Sequence, residues 1–256
     1  MIGVVAEVES YRVAVAELPL STRLADDRAG AIVVVEGTAR WCDGVRAAAE
    51  AGAAAVVVSR PVAVGAELVE ALVADLGSLP VLIERPFLRH DTVADLRRVR
   101  DADAARPAVV AVDAVAAAST FDVVLRDAIG WLRVLSGGRP TLKAAGDGTA
   151  LIETADGGSG PAVLTAVRVL AGSDRVNALS LGEVRAEIDA SEAGGVVSTT
   201  TPIGRTTLPR RHESHERLTL RRALDAVAGG SATTDLAELA EDAHLAALVS
   251  RGIPRL

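Results

Sequence analysis

Along the first half of the chain, short apolar runs rich in β-branched residues alternate with Ala-rich stretches of helical composition. Ala31 to Val35 (AIVVV) is continuously apolar, as strands buried on both faces of a parallel sheet are. Cys42 to Gly52 (CDGVRAAAEAG) follows, made of good helix formers and closed by a glycine suited to a C-terminal cap. Ala55 to Val58 predicts a second strand, Gly65 to Leu76 a helix, and Pro80 to Ile83 a third strand. Strict alternation of this kind predicts an open α/β layer with right-handed crossovers.

A further helix is expected at Thr92 to Arg100, a strand at Ala108 to Val115, and an amphipathic helix from Val123 to Leu135 ended by Gly137-Gly138. The period then changes. Strand-like runs at 142–145, 150–154, 162–170, 176–181, 185–190 and 195–201 are broken by Asp-Gly, Gly-Gly and Ser-Asp turn signals, which predicts an antiparallel sheet. Leu218 to Val227 and Leu236 to Ser250 return to helical spacing. The fold class is α/β plus α+β, with a parallel-sheet layer over residues 1–107 and an antiparallel-sheet domain with flanking helices over 108–256.

Composition narrows the function classes. Half of the 256 residues are hydrophobic and 24% are charged, which is globular composition and excludes a disordered or fibrous chain. Arg60, Asp75, Arg106 and Asp113 interrupt the apolar stretches before any reaches the roughly 18 residues of a membrane span. Glu7 and Glu9 stand where a signal peptide needs a basic and then an apolar region, so a cytoplasmic location is expected. The net charge of −7 and the lack of a basic block argue against a nucleic-acid partner. Of the 27 basic residues only Lys143 is a lysine, a bias that weakens any special claim for one arginine. The single cysteine, Cys42, excludes an intrachain disulfide and a multi-thiolate zinc site.

Four segments in order carry a family resemblance: Ala31–Pro61 (AIVVVEGTARWCDGVRAAAEAGAAAVVVSRP), Pro80–Leu96 (PVLIERPFLRHDTVADL), Val123–Gly137 (VVLRDAIGWLRVLSG) and Leu218–Arg251. Together they resemble the Gfo/Idh/MocA (glucose-fructose oxidoreductase and inositol dehydrogenase) family. They correspond to its cofactor-domain strand, helix and E-K-P motif, its exit from the nucleotide domain, its catalytic helix and its helical finish. The resemblance implies a Rossmann-like first domain, a nicotinamide cofactor, a sugar-type substrate, and self-association through the open face of the second sheet.

The chain departs from that pattern at its chemical positions. The G-x-G-x-x-G fingerprint lets a pyrophosphate approach a helix N-terminus, whereas this chain begins MIGVVAEVESYRVAVAEL with Gly3 alone before Gly30. Only 30 residues precede the strand at Ala31, and two overlapping strand–helix–strand units need more, each taking about 30. The reading is a truncated Rossmann-like domain whose start is reduced to two edge strands or a strand and a turn. Ser59-Arg60-Pro61 stands for E-K-P, and arginine can orient an anion or hydroxyl but cannot give up a proton near neutral pH. Where the family has T-P-x-x-x-x-H, this chain holds Gly37-Thr38 and, four residues after Thr38, Cys42. In the catalytic helix, D-x-x-x-H becomes Val124 and Ala128 in one register, or Asp127 and Trp131 in the other, where Trp131 is expected to plug the substrate cleft.

The candidate catalytic residues are Arg60 and His90. Arg60 is either a ligand-facing cation at a strand end or a solvated surface arginine. His90 is a loop imidazole beside Asp91, either a general base or a neighbour of an Asp91 helix cap. Cys42 reads better as a small buried hydrophobe than as a nucleophile. His212 and His215, with Glu213 and Glu216, have metal-ligand spacing only if that segment is helical.

Three functional readings follow. The first is a non-catalytic partner or regulatory binding subunit that has lost its dinucleotide site and needs no cofactor. It forms a homodimer, or a heteromer with an active paralogue, through about residues 141 to 201, with Val163 and Val167 facing outward. The alternative is an active NAD- or NADP-dependent oxidoreductase on a sugar or polyol, with Arg60 and His90 toward the substrate. A third reading keeps a sugar-like small molecule as ligand without the cofactor.

Overall fold

The computed structural model describes residues 1–100, 107–154, 160–170, 172–229 and 233–252. It divides into two compact units, one of residues 1–85 and 213–241, the other of 86–212 and 242–256. The division falls at Arg85 rather than near residue 107. The helix and strand after Pro86 build on the second sheet, and a C-terminal helix returns to the first unit.

The first unit holds a five-stranded parallel sheet in the order β2-β1-β3-β4-β5, made of β1 (Ile2–Val5), β2 (Thr22–Leu24), β3 (Ile32–Glu36), β4 (Ala55–Ser59) and β5 (Val81–Ile83). Its helices are α1 (Glu9–Ala16), α2 (Trp41–Glu50), α3 (Ala66–Leu76) and α6 (His215–Gly229). The central strand β4 is buried at all five positions, as its unbroken AVVVS text requires. Two apolar clusters cover the two faces. Trp41, Val45, Val69 and Leu72 join alternate β4 residues Val56 and Val58 on one side, and Tyr11, Ala14, Leu220 and Ala223 join Ala55 and Val57 on the other.

The N-terminus differs from expectation. Residues 2–24 build a complete strand–helix–strand unit, with β1 inside the sheet between β2 and β3. It fits because α1 has eight residues and β2 three, less than the roughly 30 residues such a unit ordinarily takes. Tyr11, Ala14 and Val15 are the buried residues of α1, at the i, i+3, i+4 spacing of a helix face.

The second unit is an eight-stranded sheet in the order β13-β12-β11-β10-β6-β9-β8-β7. The strands are β6 (Val109–Ala117), β7 (Pro140–Gly146), β8 (Thr149–Thr154), β9 (Ala162–Val169), β10 (Arg175–Leu181), β11 (Arg185–Ser191), β12 (Gly194–Thr201) and β13 (Gly204–Thr207). The expected antiparallel sheet is in fact mixed, because β6 joins it and pairs with β9 in parallel. Helix α5 (Phe121–Ser136) fills one face of this sheet, and Gly137 ends it in the left-handed conformation, φ 68°. Helix α4 (His90–Val99) belongs to the same unit, and α7 (Asp235–Ser250) runs through the division between the two. No helix among the described residues is long and apolar enough to cross a membrane.

Candidate functional site

In the first sheet the chain leaves β1 toward β2 on one side and later enters β3 on the other. Open α/β sheets bind ligands at such a switch point, outside the carboxyl ends of the strands. A pocket of about 580 Å³ lies there. Val8 and Ser10 line it from the β1–α1 turn and the first turn of α1, Glu36 to Thr38 from the end of β3, Ser59, Arg60 and Val62 from the end of β4, and Glu216 from α6.

Arg60 lines this pocket with a backbone φ of 46°, in the left-handed region that a non-glycine residue enters at a cost of order 1–3 kcal/mol. Asp147, at the β7–β8 turn, is the other described non-glycine residue with positive φ. The strand end is held from both sides. A Cβ at Gly37 would collide with the Ser59 and Arg60 carbonyl oxygens and with Pro61 Cα, and the Val62 N–H donates to the Gly37 carbonyl at 2.8 Å. From the other side Arg60 Nε donates to Glu84 Oε1 at 3.1 Å. The arginine side chain is 44% exposed and the glutamate 1%.

Glu84, just after β5, is the hub of this corner. Its Oε2 accepts the Tyr11 hydroxyl at 2.7 Å and the Ser59 hydroxyl at 3.1 Å. Burial first, and then the Glu84 carboxylate, hold the Tyr11 phenol well above its ordinary value of 10, so it stays a donor. Sequence reasoning missed both residues. The signal for Tyr11 is its register on the fingerprint, which puts Ala6, Val8 and Tyr11 at the three glycine places. It missed Asp26 as well, which stands two residues past the end of β2 and twenty after Ala6. An acidic residue about 20 positions beyond the glycine turn is the usual partner of a ribose 2′-hydroxyl.

The other candidates fall elsewhere. His90 is exposed at the first residue of α4, in the second unit. Asp91 is not the cap, since the N-cap is the extended residue Arg89. Asp91 instead accepts the Thr92 N–H at 2.8 Å and two Arg89 N–H groups at 2.9 and 2.6 Å. Cys42 is buried in the first turn of α2, where burial raises its thiol pKa. His212 is exposed before α6 and His215 is buried at its start. Among the described residues no three His, Cys, Asp or Glu side chains form a metal-holding group.

Trp131, expected to plug a cleft, is fully buried in the apolar core of the second unit. Its indole N–H donates to the Phe87 carbonyl at 2.7 Å, and Asp127 Oδ2, four residues earlier on α5, accepts the Phe87 N–H at 3.2 Å. In the Asp127/Trp131 register, the D-x-x-x-H positions of α5 therefore bracket one backbone residue.

No sequence-family profile matches the chain, and no curated protein matches it in sequence. Solved structures match in fold. The UDP-N-acetylglucosamine 3-dehydrogenase GnnA from Acidithiobacillus ferrooxidans superposes with a TM-score of 0.72 at 15% identity, covering 98% of this chain and 97% of that one. KijD10, a 3-ketoreductase from Actinomadura kijaniata in complex with TDP-benzene and NADP, superposes in its open conformation with a TM-score of 0.66 at 17% identity, over 98% and 97%. The chain has the fold of these enzymes, a Rossmann-like unit and a mixed-sheet unit, as its resemblance implied.

Proposed function

We propose that this chain is a nicotinamide-dependent oxidoreductase acting on a sugar or polyol, with nucleotide sugars the substrate class to test first. The observation that carries this reading is the pocket at the β1/β3 switch, bordered by the first turn of α1 and by Arg60. An early strand followed by a helix whose N-terminus borders that pocket is the arrangement the enzyme reading requires, and residues 2–16 have it. The similarity to GnnA and to NADP-bound KijD10 supports the same choice.

The chain's own groups suit a dinucleotide in part. Ser10, Thr38 and Arg60 offer hydroxyl and guanidinium donors, and the α1 N-terminus adds the dipole that favours an anion. Ala6, Val8 and Tyr11 leave less room than glycines would, and Glu7, Glu9 and Glu36 make the surroundings acidic. This combination favours NAD, which carries no 2′-phosphate, over NADP. When bound, the cofactor would supply the hydride acceptor or donor. Arg60 orients an oxygen of the ligand without transferring a proton.

A second reading, a non-catalytic partner or regulatory subunit, is favoured by α5. Its sequence holds no histidine, and Asp127 and Trp131 are engaged on the Phe87 peptide, so that helix offers no imidazole for proton transfer. Titrating the protein with NADH and NADPH, following quenching of Trp41 and Trp131, separates the two readings. Saturable NADH binding followed by turnover of a nucleotide sugar is the expected outcome. No binding of either dinucleotide overturns the enzyme reading in favour of the partner subunit.

A further inference from the structure

We infer that Glu84 is a positioning residue that fixes the Arg60 guanidinium at the pocket. This rests on the switch-point pocket being the ligand site. Arg60 could turn away into solvent, being an arginine at the exposed end of a strand. Instead its backbone is in the left-handed region, its peptide is wedged against Gly37, and its Nε is taken by a carboxylate that is almost fully buried. A conformation this unfavourable persists only where the surroundings over-determine it.

The carboxylate is itself fixed. Tyr11 donates to its Oε2 from α1 and Ser59 donates to the same atom from β4, which leaves Oε1 for Arg60. Helix α1 and the end of β4 thus bring three donors onto one buried anion, and Arg60 is the cation among them. The paired guanidinium is planar and directional, so the ligand group it faces is an oxygen acceptor, either a phosphoryl oxygen or a sugar hydroxyl.

The test has one arm without ligand and one with NADH. Arginine modification by phenylglyoxal, read at the Arg60 peptide by mass spectrometry, should be about threefold faster or more in Glu84→Gln than in the wild type, because the neutral amide no longer holds the guanidinium. Tyr11→Phe keeps the carboxylate charge and should stay within about twofold of the wild type. If Glu84→Gln does not fold, Glu84→Asp, which withdraws the carboxylate by one methylene, should show the same acceleration. An unchanged Arg60 rate in the folded variant overturns the assignment.

In the second arm, Glu84→Gln should weaken NADH binding about tenfold in the wild-type background and leave it unchanged in Arg60→Gly, since its effect passes through Arg60. Equal losses in both backgrounds overturn the positioning role. Absence of NADH binding to the wild type overturns the dinucleotide reading instead, and the modification rate still decides the role of Glu84.

Discussion

At the scale of single residues, the chain spends unusual positions on buried hydrogen bonds. Tyr11 is the only tyrosine in the sequence, so its ionisation can be followed alone by absorbance near 295 nm. Its folded pKa lies above the unfolded value of 10, because burial and Glu84 disfavour the phenolate. The native state therefore holds this proton more tightly. The resulting stability is fully present below pH 10 and is lost as pH rises through the folded pKa. The expected titration shows no phenolate signal until well past pH 10, appearing together with loss of structure. A reversible midpoint at 10 with the fold intact would contradict the buried placement. Trp131 gives a second expectation. Trp131→Phe removes the N–H donated to Phe87 and leaves that buried carbonyl without its partner, a loss of roughly 1–3 kcal/mol that denaturant unfolding would measure.

At the scale of elements, most of both sheets could be read from the sequence. Strands β3, β4 and β5 are apolar runs bounded by helix formers and glycines, and the strands from β7 to β12 are punctuated by turn residues that fix their ends within a residue or two. Helix α1 was illegible because Glu9 to Ala16 spans barely two turns and closes on four consecutive apolar residues, a run too short to show a period, and its three-residue contact face shows only once Tyr11 is buried. The parallel pairing of β6 with β9 was illegible for another reason: it depends on which sheet β6 joins, a long-range choice that no local pattern encodes. Of the candidate site, Arg60 could be read from its place at a strand end, whereas Glu84 came to light only through a partner 24 residues away. On the enzyme reading, the β1–β2 unit would set cofactor choice. Val4 pairs with Leu24 in parallel, so β1 and β2 leave the sheet at the same end, and Asp26 follows β2 by two residues there. NADH is expected to bind about tenfold or more tighter than NADPH, and Asp26→Ser should shrink that ratio toward one. Equal affinities in the wild type would remove Asp26 from the site.

At the scale of the whole molecule, the second sheet has one face filled by α5 and another carrying a second pocket of about 560 Å³. The register runs one row across that open face, from Leu151 on β8 through Val163, Ala111 and Leu179 to Glu187 on β11, Ser198 on β12 and Thr207 on β13. The row is apolar at its β8 end and polar at its β13 end. Near the polar end Arg175 pairs with Asp189, and both Arg185 and Arg205 pair with Glu187. Val167 is 46% exposed in the same alternation as Val163, which agrees with the outward orientation expected for both. A face divided in this way can be covered by a second copy, in which each protomer's apolar rows meet the other's, as an isologous two-fold contact requires. We propose that the chain dimerises through this sheet. Val163→Glu with Val167→Glu places two charges on the contact, and light scattering should then give the mass of one chain where the wild type gives two. A wild type already at the mass of one chain, or a double variant still at twice that mass, would rule this interface out and turn attention to the first unit.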